Sequence, residues 1–227
     1  NSGLFVLQGS PIKTAHDLVG RKIGVNTPGA YEQYLTTTWL EKSGVSKADI
    51  QKITFVAAPP VNLEQLLKQK QLDAVFLEDI IKDKLIAEGG ATLLVTDYQL
   101  LGSFGYASYI FTDRFIQQNP NTVRKFVDGT ARAIEWAQKT PRDEVVARLE
   151  KIIQARHRNE DKTIVRYWKS AGVGGKGGII SSSDFSTYVD WYVSNGVLKP
   201  GQVKADDIYT NQFNPFSQAL GSRQPGS

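Results

Sequence analysis

Short apolar runs alternate with amphipathic stretches through the first hundred residues of the chain. The apolar runs predict buried strands, because each lies between polar or glycine-containing breakers. The stretches between them carry apolar residues three and four positions apart and end at glycines such as Gly44 and Gly89, which is typical of helices. Strands that alternate with helices of this length indicate a parallel α/β sheet. The predicted strands are Leu4–Leu7, Arg21–Val25, Ile53–Ala57, Leu72–Leu77 and Ala91–Val95, and the predicted helices begin near Pro28, Asn62 and Ile80.

After Gly102 the pattern changes from alternation to helices. Gly105–Thr112 alternates as a strand, and a long amphipathic helix is predicted to follow Asn119-Pro120. Further helices are predicted after Thr140-Pro141, around Ile164–Trp168 and over Ser183–Asn195. The chain therefore divides near residues 103–108 into a compact α/β unit and a helix-rich unit with almost no strands of its own.

Composition excludes several classes of protein. The 227 residues carry a formal net charge of +4 with 41% hydrophobic residues, and no apolar run is long enough to span a bilayer. Lys and Arg are scattered among 23 acidic residues, which favours a soluble chain over a nucleic-acid-binding one. The absence of Cys excludes disulfides and thiolate metal sites. Because the sequence also lacks Met, we expect Asn1 to lie downstream of the translation start and a signal peptide to have been removed.

The strongest candidate site is the turn between the second strand and the following helix, Val25-Asn26-Thr27-Pro28-Gly29-Ala30-Tyr31. Thr27 is the predicted N-cap and Pro28 the first helical residue. Backbone N–H groups and the positive end of the helix dipole would face outward there and would attract an anion. In open α/β sheets ligands also bind beyond the carboxyl ends of strands. The alternative is an ordinary capped start of a helix.

Two further positions are candidates for ligand contact. Glu78 follows the fourth strand and would project into the same crevice, where a carboxylate could hold an amine or hydroxyl group. Tyr106 lies on the strand where the chain crosses between its two parts. The alternatives are that the neighbouring Asp79 only caps a helix and that Tyr106 belongs to the core.

Sites for phosphate, metal or catalysis are not indicated. The Gly172–Gly178 stretch lacks the hydroxyl residue that follows the lysine of a phosphate-binding loop, and it joins two predicted helices. His16 and His157 are the only histidines and are far apart in sequence. Gly-x-Ser-x-Gly, the nucleophile motif of hydrolases, is absent. We therefore predict a protein without metal, cofactor or catalytic residues.

Three passages resemble the solute-binding proteins of ABC importers, in the branch that serves aliphatic sulfonates, taurine and nitrate and is related to thiamine-pyrimidine binding proteins. They are LFVLQGSPIKTAHDLVGRKIGVNTPGAYEQYLTTTWLEKSGV, LLKQKQLDAVFLED and GYASYIFTDRFIQQNPNTVRKFVDGTARAIEWA. The most characteristic part runs from Ser10-Pro11-Ile12 to Asp17–Val25. These motifs are marks of the fold more than of a particular ligand.

The resemblance implies a periplasmic binding protein of type II, with two α/β lobes around a ligand cleft. Residues 7–103 would form the second lobe, and residues 1–6 and 104–227 would form the returning, helix-rich half of a first lobe whose N-terminal half is missing. A separate fragment would complete that lobe.

The resemblance also implies a non-catalytic, exported protein of the periplasm or cell surface that delivers a small anion or zwitterion to a membrane permease. In that role Thr27, Gly29 and Ala30 would hold the anionic group of the ligand, Glu78 would meet its polar or amino end, and Tyr106 would line the hinge. Tyr31 would also belong to the ligand-binding residues. Two alternatives share the superfamily fold. One is a pyrimidine-synthase-like enzyme, and the other is the effector-binding domain of a transcription regulator.

Overall fold

A computed structural model describes residues 2–102, 107–158, 160–173 and 175–217. Its strands are β1 Ser2–Leu7, β2 Lys22–Val25, β3 Thr54–Ala57, β4 Ala74–Glu78 and β5 Ala91–Thr96. Its helices are α1 Tyr31–Lys42, α2 Lys47–Ile50, α3 Pro60–Lys68, α4 Asp79–Glu88, α5 Asp97–Leu101, α6 Asp113–Gln118, α7 Pro120–Lys139, α8 Arg142–Ala155 and α9 Ser183–Ser194, with short 3₁₀ turns at His16–Leu18, Lys162–Tyr167, Lys176–Gly178 and Ala205–Asp207.

The chain divides into two compact units. One comprises Asn1–Gly102 and Val146–Lys169, and the other comprises Ser103–Val145 and Ser170–Ser227. The division after Gly102 agrees with the change of pattern seen in the sequence. The assignment of the units to lobes of a binding protein stays a prediction.

The sheet of the first unit contains the five strands found in the described part of the chain, in the order β3-β2-β4-β1-β5. β2 pairs in parallel with both β3 and β4, whereas β1 runs antiparallel to both β4 and β5. The expected sheet was parallel throughout, and residues 1–6 were expected in the other lobe. In the structure β1 is antiparallel to both of its neighbours, and Leu4–Val6 are buried where it lies between β4 and β5 in the sheet of the first unit. The lobe to which residues 1–6 belong stays a prediction.

The core of the first unit lies between the sheet and the helices that cover it. Phe5, Val75 and Leu77 from the strands pack with Leu63, Leu67 and Leu85 from α3 and α4. Gly24 allows α3 to approach β2 closely, since a Cβ atom there would lie 2.5 Å from the Leu72 side chain and 2.7 Å from Leu63. Burial of these side chains is the main stabilising contribution in this unit.

A segment from the second half of the chain also belongs to the first unit. Near α4, Lys169 Nζ donates a hydrogen bond to the buried Asp83 carboxylate at 3.0 Å, and the Tyr167 hydroxyl donates to Glu88 at 3.2 Å. Residues around Ile164–Trp168 were predicted to form an α-helix. They form a 3₁₀ turn instead, which ends at Tyr167.

The second unit has no strand among its described residues. Val123 and Ala131 are the buried positions of its longest helix, α7. The backbone of Gly177 has a φ of +58°, and its carbonyl accepts a hydrogen bond from Asn214. The predicted strand Gly105–Thr112 is wrong for residues 107–112, where Phe111 instead packs against the rings of Phe115 and Phe126. Residues 105 and 106 lie outside the described part of the chain.

Candidate ligand-binding site

One edge of the sheet collects the ends of several strands, and we call it the carboxyl edge. β2, β3, β4 and β5 all end there, because they point in the same direction. The antiparallel β1 begins there, with Ser2 opposite Glu78 in the pairing register. The carboxyl ends of parallel strands are the usual ligand-binding position in open α/β sheets. We therefore expect a ligand-binding site at the carboxyl edge.

The turn from β2 into α1 is tightened by its own hydrogen bonds. The Gly29 N–H donates to the side-chain oxygen of Gln33 at 2.8 Å, and the Ala30 N–H donates to the Thr27 carbonyl at 3.2 Å. Gly29 has a φ of +78°, which favours glycine. As a result α1 begins at Tyr31 with Ala30 as N-cap, and the predicted start with Thr27 as N-cap and Pro28 as first residue is wrong.

This turn therefore differs from the open anion cradle that the sequence suggested. The amides of Gly29 and Ala30 already have partners, so the Gly29 amide becomes available to a ligand only when Gln33 is displaced. The Thr27 side chain is exposed. An anion at this turn would meet the Thr27 hydroxyl and the positive end of the α1 dipole.

Tyr31, the first residue of α1, faces the sheet and is half-buried. Its hydroxyl donates to Asp97 Oδ2 at 3.1 Å and lies 2.8 Å from Ser2 Oγ. Its ring contacts Phe76 edge to face, with 6.0 Å between the ring centroids. Tyr31 thus connects the first turn of α1 to both β1 and the end of β5.

Two carboxyl groups meet where β4 ends. Burial, followed by the charges of Glu32 and Asp79 and a hydrogen bond with Glu32, together raise the pKa of Glu78 to about 8. Glu32 lies in the first turn of α1 and is only 5% exposed. At neutral pH Glu78 therefore holds a proton that it donates to Glu32.

Asp97 lies where β5 ends and is 4% exposed. Its Oδ2 accepts a hydrogen bond from the Ser2 amide at 2.9 Å, and its Oδ1 accepts one from the Tyr98 amide at 2.7 Å. Burial raises the pKa of Asp97, but the positive amino-terminal group of the chain and the hydrogen bonds from Ser2 outweigh burial, so that the pKa lies below its ordinary value. This carboxylate stays charged at neutral pH.

The structure brings most of the predicted site residues to the carboxyl edge. Thr27, Gly29, Ala30, Tyr31 and Glu78 are all there, since β2 and β4 are paired in parallel. Tyr106 lies outside the described residues. Whether these residues bind a ligand stays a prediction.

Sequence reasoning missed Ser2, Glu32 and Asp97. Asp97 carried a usable signal, because it follows a predicted strand just as Glu78 does. Glu32 looked like an ordinary acid in the first turn of a helix, and nothing in the sequence showed that Ser2 would meet Asp97 and Tyr31.

No group of three or more His, Cys, Asp or Glu side chains in the described ranges could hold a metal ion. Among the helices of the described part, none has the length and apolarity needed to cross a membrane.

Several solved structures share this fold at low sequence identity. The periplasmic aliphatic sulphonate binding protein SsuA from Escherichia coli is 18% identical with a TM-score of 0.64, over 100% of this chain and 70% of that one. The periplasmic nitrate-binding protein NrtA from Synechocystis PCC 6803 is 13% identical with a TM-score of 0.69, over 99% and 66%. The desulfurization enzyme DSZB is 18% identical with a TM-score of 0.53, over 98% and 76%.

The likeness to SsuA and NrtA confirms the predicted fold class, an α/β fold of the periplasmic binding proteins. No curated protein sequence matches the chain. A family model described as NMT1/THI5 like matches residues 1–144, which is more than half of the 227 residues. The match and the shared fold confirm the resemblance found in the sequence, and we conclude that the chain belongs to the NMT1/THI5-like family.

Proposed function

We propose that this protein is the solute-binding component of an ABC importer and captures a small organic anion or zwitterion such as a sulfonate, taurine or nitrate. The family match supports this role, as does the fold shared with proteins named for sulphonate and nitrate binding. The observation that carries the proposal is the carboxyl edge. There the Thr27–Tyr31 turn and the positive end of α1 lie at the same side of the sheet as Glu78.

The carboxyl edge offers the Thr27–Ala30 turn to an anionic group and the Glu32–Glu78 pair to a cationic one, so it fits a zwitterion better than a simple anion. The anionic group would accept a hydrogen bond from the Thr27 hydroxyl and be attracted by the α1 dipole. An ammonium group would donate hydrogen bonds to the carboxyl oxygens of Glu32 and Glu78, and its positive charge would favour ionisation of Glu78, whose pKa is raised. Nitrate and alkanesulfonates have no group for that pair, so we favour an aminosulfonate such as taurine.

The wider role is part of the same proposal. Ligand would be captured in a cleft between two lobes, and closure of the lobes would supply affinity by stabilising the closed state. The protein would be exported from the cytoplasm, take up its ligand outside the cytoplasm and deliver it to a membrane permease.

A second candidate is an enzyme of the same superfamily, which the fold likeness to DSZB favours. A pyrimidine-synthase-like activity needs an active-site histidine. Both His16 and His157 are exposed, and His16 precedes β2 at the edge opposite the carboxyl edge. The binding role therefore fits the carboxyl edge better than this enzymatic role does.

The test is isothermal titration of the intact protein with taurine, ethanesulfonate and nitrate. Loss of the hydroxyl in Thr27→Val removes one hydrogen bond to a charged group, which is worth ~1.5–3 kcal/mol, so we expect Kd for both sulfonates to rise about 10-fold or more. Glu78→Ala should weaken taurine more than ethanesulfonate, because only taurine carries an amine.

Matched controls are Thr54→Val and Glu41→Ala. Thr54 is an exposed strand residue at the opposite edge of the sheet, and Glu41 is exposed on α1. Both controls should keep the wild-type Kd. Unchanged affinity in both Thr27→Val and Glu78→Ala would show that the site is elsewhere. Failure of all three compounds to bind would show that the ligand class is wrong.

A further inference from the structure

Asp97 holds together three segments of the chain at the carboxyl edge. Its carboxylate accepts hydrogen bonds from the Ser2 amide of β1, the Tyr31 hydroxyl of α1 and the Tyr98 amide of α5, at 2.9, 3.1 and 2.7 Å. Only 4% of its surface is exposed. Hydrogen bonds to a buried charged acceptor are strong, and they hold the donors in a defined orientation.

The hydrogen bond to Asp97 fixes Tyr31, which lies directly after the turn that leads into α1. Its hydroxyl is placed by Asp97 and Ser2, and its ring is placed by the edge-to-face contact with Phe76. Its backbone is the first helical residue after the Thr27–Ala30 turn. These side-chain contacts therefore hold the first residue of α1, and with it the end of the turn, against the sheet.

We propose that Asp97 is a positioning residue for the ligand site, which holds the Tyr31 phenol and thereby pre-organises the first turn of α1 for binding. This inference rests on the proposed function, since it concerns the same site. Asp97 does not itself touch ligand in this scheme. Holding the turn in its binding geometry before ligand arrives removes an ordering cost from the binding equilibrium.

The chemistry requires a carboxylate. Oδ2 accepts two hydrogen bonds, from Ser2 and Tyr31, while Oδ1 accepts the third from Tyr98. In Asp97→Asn one of these oxygens becomes an NH₂ group, which offers protons to donors that need an acceptor. The substitution therefore keeps the size of the side chain but breaks the hydrogen bonds made by whichever oxygen, Oδ1 or Oδ2, the NH₂ group replaces.

A double-mutant cycle in the intact protein, with taurine as the probe, tests the proposal. We expect Asp97→Asn and Tyr31→Phe each to raise the taurine Kd about 10-fold. In the Tyr31→Phe background we expect Asp97→Asn to add no more than about twofold, because its effect passes through the Tyr31 hydroxyl. Equal effects of Asp97→Asn in both backgrounds would overturn the proposal, since a residue that only stabilises the fold would act independently of Tyr31.

A measurement without ligand gives a second test. In protein labelled with 3-fluorotyrosine, the fluorine resonance of Tyr31 is the one that disappears in Tyr31→Phe. We expect it to be a single sharp line in the wild type and to shift or broaden in Asp97→Asn. An unchanged resonance would overturn the positioning role even if taurine proves not to bind, whereas absent taurine binding with a changed resonance would count against the proposed function alone.

Asp73→Asn is the matched control. Asp73 also accepts a backbone hydrogen bond across the sheet, from the Lys22 amide at 2.8 Å, but Lys22 begins β2 and so lies at the opposite edge. This variant makes the same carboxylate-to-amide change without touching Tyr31. We expect both the Tyr31 resonance and the taurine Kd to stay at wild-type values, and a change in either equal to that of Asp97→Asn would overturn the proposal.

Discussion

The protonated Glu78 makes the stability of the first unit depend on pH, and Glu78→Gln should remove that dependence. The pKa of Glu78 rises from an ordinary value of 4.5 to about 8 in the folded protein, first because of burial and then because of Glu32 and Asp79. Between these two values the folded state holds a proton that the unfolded state has released. The free energy of unfolding therefore falls as pH rises from about 5 to about 8.

The magnitude follows from the two pKa values. At 1.36 kcal/mol per pKa unit, the wild type loses about 3 kcal/mol of stability from this group between pH 5 and pH 8. Gln at position 78 is neutral at every pH, as the protonated Glu is, and its amide can still donate to Glu32. Relative to the wild type, Glu78→Gln should therefore gain about 3 kcal/mol over the same pH range.

The assay is urea unfolding followed by circular dichroism at pH 5, 6, 7 and 8 and constant ionic strength, with the midpoint and m compared at each pH. Glu41→Gln, an exposed substitution on α1, should follow the wild type at every pH. An NMR titration of the Glu78 carboxyl carbon should show a midpoint near pH 8, the raised pKa of this group. Parallel stability curves for Glu78→Gln and the wild type would refute the reasoning, since they would mean that Glu78 is charged in the folded protein.

Two further predictions concern the close packing at Gly24 and the contact between residues 162–169 and α4. Gly24→Ala places a methyl group 2.5 Å from Leu72 and should lower the free energy of unfolding by ~1–3 kcal/mol in the same urea assay. The control is Gly129→Ala on α7, which should not lower the free energy of unfolding because the new methyl group meets open space. The buried Asp83 carboxylate pairs with both Lys82 and Lys169, and only Lys169 belongs to the segment that packs on α4. Lys169→Ala should therefore make hydrogen exchange over residues 162–167 several-fold faster. Unchanged exchange there would show that other contacts hold this segment in place.

Some elements were predictable because their signals are local. α4 ends at Glu88, just before Gly89, and α7 begins at Pro120, as expected, because a glycine after a helix and a proline at its first residue act on the backbone next to them. The helix start expected at Thr27 failed for an equally local reason that the pattern did not show. The Gln33 side chain bonds the Gly29 amide and moves the start of α1 to Tyr31.

The sequence by itself determined that strands and helices alternate up to Gly102 and that Thr27 and Glu78 follow strands. Periodicity carries this information because it records which side of each element is buried. Only the tertiary structure decided that β1 runs antiparallel between β4 and β5, which brings Ser2 to Asp97 and Tyr31. The raised pKa of Glu78 was likewise decided there, because it depends on burial against Glu32, and no periodicity records which elements become neighbours.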